Sequence, residues 1–169
     1  MKKLSFLMIA FILMLLNISC SKEDDFVANE NLVGVWYQVT DSNDSDRSYT
    51  TEWSFGESGI LEIVSKESVT STNEFLGYTS LSKGRYTFND SIFDAENMLG
   101  YSYQFDGEIY FDDADYYPDK ESFINRKGMA QKFNKASISF AEGNKELVMT
   151  FLECNDTGNC IGSLTLTRK

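Results

Sequence analysis

The sequence predicts an all-β domain in which an antiparallel meander of about eight to ten short strands closes as a barrel. Apolar and polar residues alternate with a period of two along most of the chain, and turn-forming residues separate the alternating stretches. A two-sheet sandwich is the alternative arrangement of the same strands. About 150 residues follow an N-terminal leader, which is enough for one domain, and we expect that domain to span residues 31–169.

The alternation is clearest at residues 49–55, where Trp53 and Phe55 share one face. A turn-rich stretch joins this strand to a natural hairpin partner at residues 60–64. Asp106-Gly107 favours a two-residue hairpin turn. The other predicted strands cover residues 32–39, 75–80, 84–88, 99–105, 109–111, 136–140, 147–151 and 161–167.

The N-terminus has the order of a secretory signal peptide. Lys2 and Lys3 precede an uncharged apolar run, residues 4–16, that is shorter than the about 20 residues needed to cross a bilayer. The run leads to Ser19-Cys20, which resembles the lipobox of bacterial lipoproteins. The resemblance implies cleavage after residue 19 and a membrane anchor through a lipid on Cys20. An ordinary secretory signal followed by an unmodified cysteine is the alternative.

Residues 20–30 form a polar tether that is acidic directly after the cysteine, in Ser21-Lys22-Glu23-Asp24-Asp25. Such a segment has nothing to bury, so we expect a flexible stalk. It resembles the export signal of Bacteroidetes-type lipoproteins, which implies an outer-membrane anchor and a domain facing the outside of the cell. A linker that is acidic without being a signal is the alternative.

The chain is strongly acidic, with a net charge of −11 at pH 7. Residues 1–19 contain two lysines and no acidic residue, so their removal takes the net charge to −13. A surface of this sign repels nucleic acid and anionic lipid headgroups and favours solubility. We therefore expect a monomer with no nucleic-acid partner.

Two of the three cysteines, Cys154 and Cys160, flank a turn-rich stretch between two strand-like runs. Because an exported protein meets oxidising conditions, the prediction is a disulfide across this hairpin. The chain contains no histidine, which excludes histidine-dependent catalytic triads and histidine-ligated metals. We expect no catalytic residue, no bound metal and no cofactor.

Two other chemistries remain as minor alternatives. Residues 41–52 place oxygen-bearing side chains at alternate positions, as in a calcium loop, but Asp46 stands where that loop requires glycine. Acidic residues between positions 112 and 121 could form a carboxylate pair for glycoside cleavage. A turn-rich hairpin loop and a solvated acidic surface are the simpler interpretations.

Residues 112–135 fit no strand pattern and are predicted to form a long loop. A short helix at residues 119–126 is expected within it, capped by Asp119 after Pro118. Long insertions in compact domains often carry function, so this loop is a candidate site for a protein or glycan partner. A plain surface excursion is the alternative.

The first strand contains Gly34-Val35-Trp36, and the last strand ends in Arg168. This combination resembles the lipocalin-like lipoproteins of Bacteroidetes, in which a Gly-x-Trp motif opens the barrel. The resemblance implies that Trp36 plugs the closed end of the barrel and that Arg168 lies across its indole face. Gly34, Trp36 and Arg168 would then form the structural closure of a lipocalin-like barrel.

An eight-stranded barrel either fills its interior with side chains or holds one small ligand. The leading hypothesis is a non-enzymatic cell-envelope module that binds a small apolar or amphipathic molecule in the barrel mouth. The alternative is a surface interaction or adhesion module with a filled barrel, which binds a protein or a glycan. The candidate pocket consists of inward positions with large rings: Trp53, Phe55, Tyr86, Tyr101, Tyr103 and Phe105.

Overall fold

The computed structural model describes Phe26 and residues 28–102, 116–123, 128–152 and 162–169. In these residues the chain forms nine antiparallel strands and one 3-10 helix, Lys120–Phe123, so the predicted all-β class is confirmed. The strands are β1 (Gly34–Asp41), β2 (Arg47–Phe55), β3 (Ile60–Val69), β4 (Phe75–Asn89), β5 (Ile92–Ser102), β6 (Met129–Gln131), β7 (Ala136–Ala141), β8 (Glu146–Phe151) and β9 (Ser163–Arg168).

Eight of these strands form a closed ring. Neighbours pair in the order β1, β2, β3, β4, β5, β7, β8 and β9, and β9 returns to β1, whereas β6 pairs with β5 outside the ring. The ring is uneven: β1 and β2 pair over eight residues, but the β1–β9 and β5–β7 seams have two residue pairs each. The predicted closed meander is confirmed, with a half of long strands, β1 to β5, and a half of short strands, β7 to β9.

Strands β4 and β5 are longer than the alternation predicts. β4 is a single strand of 15 residues, where the sequence suggests separate strands at 75–80 and 84–88. The hairpin to β5 turns at Asp90 and Ser91, with φ angles of 50° and 67°. Two-residue turns with positive φ angles favour Asn-Gly or Gly-Gly. Asp-Ser is a weak turn signal by comparison, so the sequence does not predict the first half of β5. The expected turn at Asp106-Gly107 lies outside the described residues.

A β-bulge changes which residues of β5 face the interior. Asn97 and Met98 of β5 lie opposite the single residue Gly84 of β4, and Asn97 has a φ of 53°. Phe93 faces the core before the bulge and Met98 faces it afterwards. Tyr101 consequently lies on the outer face, so its predicted inward position is wrong. The inserted residue shifts the period-two alternation by one, which the sequence pattern does not show.

Apolar side chains fill the interior of the ring at the end where β2 finishes and β3 begins. Phe55 contacts three other rings, with centroids 5.2 Å from Tyr86, 6.0 Å from Phe93 and 6.3 Å from Trp53. Aromatic pairs of this kind add about 0.5–1.5 kcal/mol each beyond the burial of their area. The rest of the core consists of Leu32, Trp36, Leu61, Ile63, Met98, Ala136, Ile138, Leu147, Met149 and Leu166.

The Gly-x-Trp motif and the terminal arginine meet at the β1–β9 seam. Trp36 pairs with Arg168 across the two strands, and the Arg168 guanidinium carbon lies 5.0 Å from the centre of the fully buried indole. The indole nitrogen donates to the Leu32 carbonyl at 2.8 Å, and Arg168 Nη2 donates to the Val33 carbonyl at 2.8 Å. Gly34 has a φ of 131°, a region that L side chains rarely adopt. These contacts join the first and last strands of the ring.

Residues 116–123, which we call the strap, begin beside β4 and reach the outer face of β3 and β4 at Lys120 and Phe123. Tyr117 forms an antiparallel bridge with Tyr78 of β4. Phe123 is fully buried and packs against Val64 and Leu81. Val64 follows the inward-facing Ile63, so this cluster lies on the side of the sheet opposite the main core.

The strap contains the helix that the sequence predicts, in a shorter form. Asp119 Oδ1 accepts a hydrogen bond from the Ser122 backbone nitrogen at 2.8 Å, which is a capping contact. The Lys120 ammonium binds Glu62 on β3 at 2.7 Å. The 3-10 helix ends at Phe123, and residues 124–127 lie outside the described part of the chain.

Candidate ligand-binding groove

A groove of about 700 Å³ lies on the outer face of the long-stranded half. We call it the outer groove. Its floor consists of alternate residues of β1, β2 and β3: Tyr37, Val39, Thr50, Glu52, Lys66 and Ser68. The neighbouring residues Trp36, Trp53 and Ile63 face the core. The outer groove and the core are therefore opposite faces of the same three strands.

Two further strands flank this floor. On the β4 side, Phe75 and Tyr78 pack edge to face with ring centroids 5.2 Å apart, and Phe75 is 47% exposed. The backbone of Tyr78 is held by two hydrogen bonds to Tyr117 of the strap, at 2.9 and 3.1 Å. The strap thus fixes one side of the outer groove. On the β9 side, Arg168 and Lys169 complete the lining.

Glu52 holds two lysines in the floor of the outer groove. Its Oε1 atom lies 2.6 Å from the Lys66 ammonium and 3.1 Å from that of Lys169. Burial raises the pKa of the Glu52 carboxyl, but the hydrogen bonds and charges of both lysines outweigh burial and leave the pKa below its ordinary value. Glu52 is therefore ionised at neutral pH. An ammonium group has three donors, so each lysine retains donors that a ligand can use.

The side chains predicted to line an interior pocket do not all face the interior. Trp53, Phe55 and Tyr86 contact one another and fill the interior. The Tyr86 hydroxyl donates to the Gly56 carbonyl at 2.9 Å, and burial raises the pKa of Tyr86 to about 12. Tyr101 packs with the outer cluster beneath the strap. Five other predicted site residues lie outside the described residues: Cys20, Tyr103, Phe105, Cys154 and Cys160.

A partly buried ion pair that the sequence did not reveal lies near the β1–β2 loop. Glu67 is 6% exposed and accepts a hydrogen bond from Arg47 at 3.3 Å. Arg47 also donates to the Tyr116 hydroxyl at 2.7 Å. Burial, together with the hydrogen bond and charge of Glu67, raises the pKa of Tyr116 to about 12, against the opposing charge of Arg47. The cluster fastens the strap to the barrel, and no sequence pattern links these three distant positions.

The candidate partner loop at 112–135 is described only in part. Tyr116 and Tyr117 are half-buried, because Tyr116 lies over Gly77 and Tyr117 packs on Phe123. A Cβ atom on Gly77 would lie 2.3 Å from that of Tyr116, and Gly77 has a φ of 148°. These two tyrosines therefore attach the strap to the sheet. The outer groove is more open to solvent than this described part of the loop.

In the acidic loop between β1 and β2, the Asp46 side chain binds other groups of the same protein. Asp46 accepts a hydrogen bond from the Ser71 backbone nitrogen at 2.9 Å and another from the Ser71 hydroxyl. These contacts tie the β1–β2 loop to the β3–β4 turn, while Glu52 binds two lysines. In the part of the chain that the structure describes, no three Cys, Asp or Glu residues gather into a group that could hold a metal.

Comparison of this chain with protein-family models, curated proteins and solved structures gives no match. Among the described residues, no helix has both the length and the apolar character required to span a bilayer. The outer groove is therefore interpreted from its own chemistry. It combines exposed rings, hydroxyl groups and paired charges in one concavity, which are the components of a binding site for an amphipathic partner.

Proposed function

We propose that the protein is a cell-envelope lipoprotein whose β domain is a non-enzymatic interaction module that binds its partner in the outer groove. The observation that carries the proposal is the contrast between the two faces of β1 to β3. At the end of the strands near Trp53 and Phe55 the inner face is occupied by packed rings, whereas the outer face forms a groove of about 700 Å³ with Val39 and Phe75 about half exposed. Exposed apolar groups beside polar ones in a concavity are typical of binding surfaces.

The anchor in this proposal is a lipid on Cys20, and the location is the outer face of the outer membrane. The support is the sequence order: Lys2-Lys3, an apolar run, Ser19-Cys20 and then the acidic tether. Mass spectrometry of the protein purified in detergent from its host tests it. The wild type should lack residues 1–19 and carry lipid on Cys20, and Cys20→Ser should carry none. A wild-type protein without lipid would overturn the anchor.

The groove is tested with two matched variants. Phe75→Ala removes a ring from the outer groove, and Leu99→Ala removes an apolar side chain of similar exposure, 42% against 47%, from β5 outside the groove. Surface plasmon resonance measures binding of each immobilised protein to the polysaccharide and protein fractions of the host envelope. We expect the wild type to bind one fraction, Phe75→Ala to bind it about tenfold more weakly, and Leu99→Ala to bind it unchanged. Absence of binding, or equal binding by all three proteins, would contradict the proposal.

A further inference from the structure

The outer groove differs in charge from the protein as a whole. The chain carries a net charge of −11, yet the charged side chains of the outer groove are the basic Lys66 and Lys169 and a single acidic residue, Glu52. The Arg168 guanidinium lies against Trp36 instead. Positive groups gathered in a concavity of an otherwise acidic molecule concentrate the local field. The two lysines of the outer groove can therefore attract an anionic group of a ligand.

Glu52 brings the two lysine ammonium groups close together. Lys66 and Lys169 approach the same Glu52 oxygen from β3 and from the end of β9. Because each ammonium group uses one donor on Glu52, two positive groups lie side by side with donors remaining. This arrangement suits a carboxylate or sulfate, whose oxygens can accept from both lysines at once.

The remaining lining favours a sugar over an extended peptide. Tyr37, Phe75 and Tyr78 supply ring surfaces against which the C–H faces of a pyranose can pack. The Thr50 and Ser68 hydroxyls supply groups that both donate and accept, as ligand hydroxyls require. An acidic peptide would also bind the lysines. It would leave most of the separated rings and hydroxyl groups of the groove without a contact.

We propose that the outer groove binds an acidic oligosaccharide, with Lys66 and Lys169 pairing to its carboxylate or sulfate and Phe75 packing against a sugar ring. This inference rests on the proposed function of the groove and adds the chemical class of the partner. Because the ion pairs are partly exposed to solvent, the affinity falls as salt concentration rises.

Isothermal titration calorimetry of the full chain purified in detergent tests the inference. The probes are an oligogalacturonate, its methyl-esterified neutral form, a sulfated oligosaccharide and a glutamate-rich peptide. Lys66→Gln removes one positive group from the outer groove, and Lys83→Gln, on the outer face of β4 outside the groove, is the control. We expect at least one acidic sugar to bind, the esterified form to bind about tenfold more weakly than the oligogalacturonate, and Lys66→Gln but not Lys83→Gln to weaken acidic-sugar binding about tenfold.

The other outcomes separate this inference from the proposed function. Equal binding of the esterified and free sugars, lost in Phe75→Ala, would overturn the acidic class and leave the groove as the binding surface. Binding of the peptide but of no sugar, again lost in Phe75→Ala, would also overturn the sugar and keep the groove. Probe binding that neither Phe75→Ala nor Lys66→Gln changes, or no binding of any probe, would overturn the inference and count against the groove itself.

Discussion

The two faces of strands β1 to β3 are built from neighbouring residues and have opposite characters. Trp36, Trp53 and Ile63 lie on the inner face and are at most 7% exposed, while Tyr37, Glu52 and Lys66 line the outer groove beside them. The inner face is held by packing that excludes water. The outer face has a ring surface, hydroxyls and an ion network that water can reach. The difference indicates that the buried inner residues supply stability, whereas the outer face is open to solvent.

Trp36→Ala should lower the free energy of unfolding more than any of the substitutions that follow. The substitution removes a fully buried indole, its contact with Arg168 and its hydrogen bond to Leu32. We expect the free energy of unfolding to fall by about 3–5 kcal/mol. Tyr37→Ala, one residue along on the outer face, should cost about 1 kcal/mol or less. Urea unfolding curves measure both values, and equal losses would contradict the assignment of the two faces.

The strap on the outer face of β3 and β4 should be released by Gly77→Ala. The added Cβ atom would lie 2.3 Å from that of Tyr116, and the residue would also keep an unfavourable φ of 148°. We expect a loss of at least about 2 kcal/mol and faster hydrogen exchange in residues 116–123. The control is Gly143→Ala, since Gly143 has a φ of 66° and no atom lies within 4 Å of the added carbon. This variant should lower the free energy of unfolding by about 1 kcal/mol and leave the strap protected from hydrogen exchange. Protection of residues 116–123 in Gly77→Ala would contradict the role of this contact.

The closure of the ring at the β1–β9 seam should depend on the planar shape of Arg168. Arg168→Lys keeps the charge but loses stacking on Trp36, so the free energy of unfolding should fall by about 0.5–2 kcal/mol. Arg85→Lys, at an exposed position of β4, is the control and should change stability little. Thermal unfolding of the two variants measures the difference, and equal midpoints would show that Arg168 contributes charge alone.

The smallest expected effect is the pH dependence of the Glu52 network. The folded-state pKa of Glu52 lies below its ordinary value because Lys66 and Lys169 bind the carboxylate. Its stabilising contribution is therefore present above the unfolded-state pKa and is lost as pH falls through the folded-state pKa. The stability difference between wild type and Glu52→Gln should be less than about 1 kcal/mol at pH 7 and should shrink between about pH 5 and 3. Urea unfolding at several pH values tests this, with Glu57→Gln on an exposed turn as the control. A difference that grows on acidification would contradict the network.

The inner face could be predicted from sequence because burial imposes a period of two on a strand, as at Trp53 and Phe55. At Tyr101 the alternation predicts the wrong face, because a bulge at Asn97 shifts it by one residue. The outer groove could not be predicted, since alternation identifies an outward face but not a concave one. Its ion network also needs the register that brings Lys66 and Lys169 to Glu52 from different strands.

The measurement that tests the central claim most directly is native mass spectrometry of the protein purified in detergent from its own host, before and after extraction with organic solvent. A filled interior, with Trp53, Phe55 and Tyr86 in contact, predicts the mass of the protein with its covalent modifications alone, unchanged by extraction. A reproducible small-molecule adduct that disappears on extraction, and that Phe75→Ala retains in full, would contradict the account, because the barrel interior and not the outer groove would then hold a ligand.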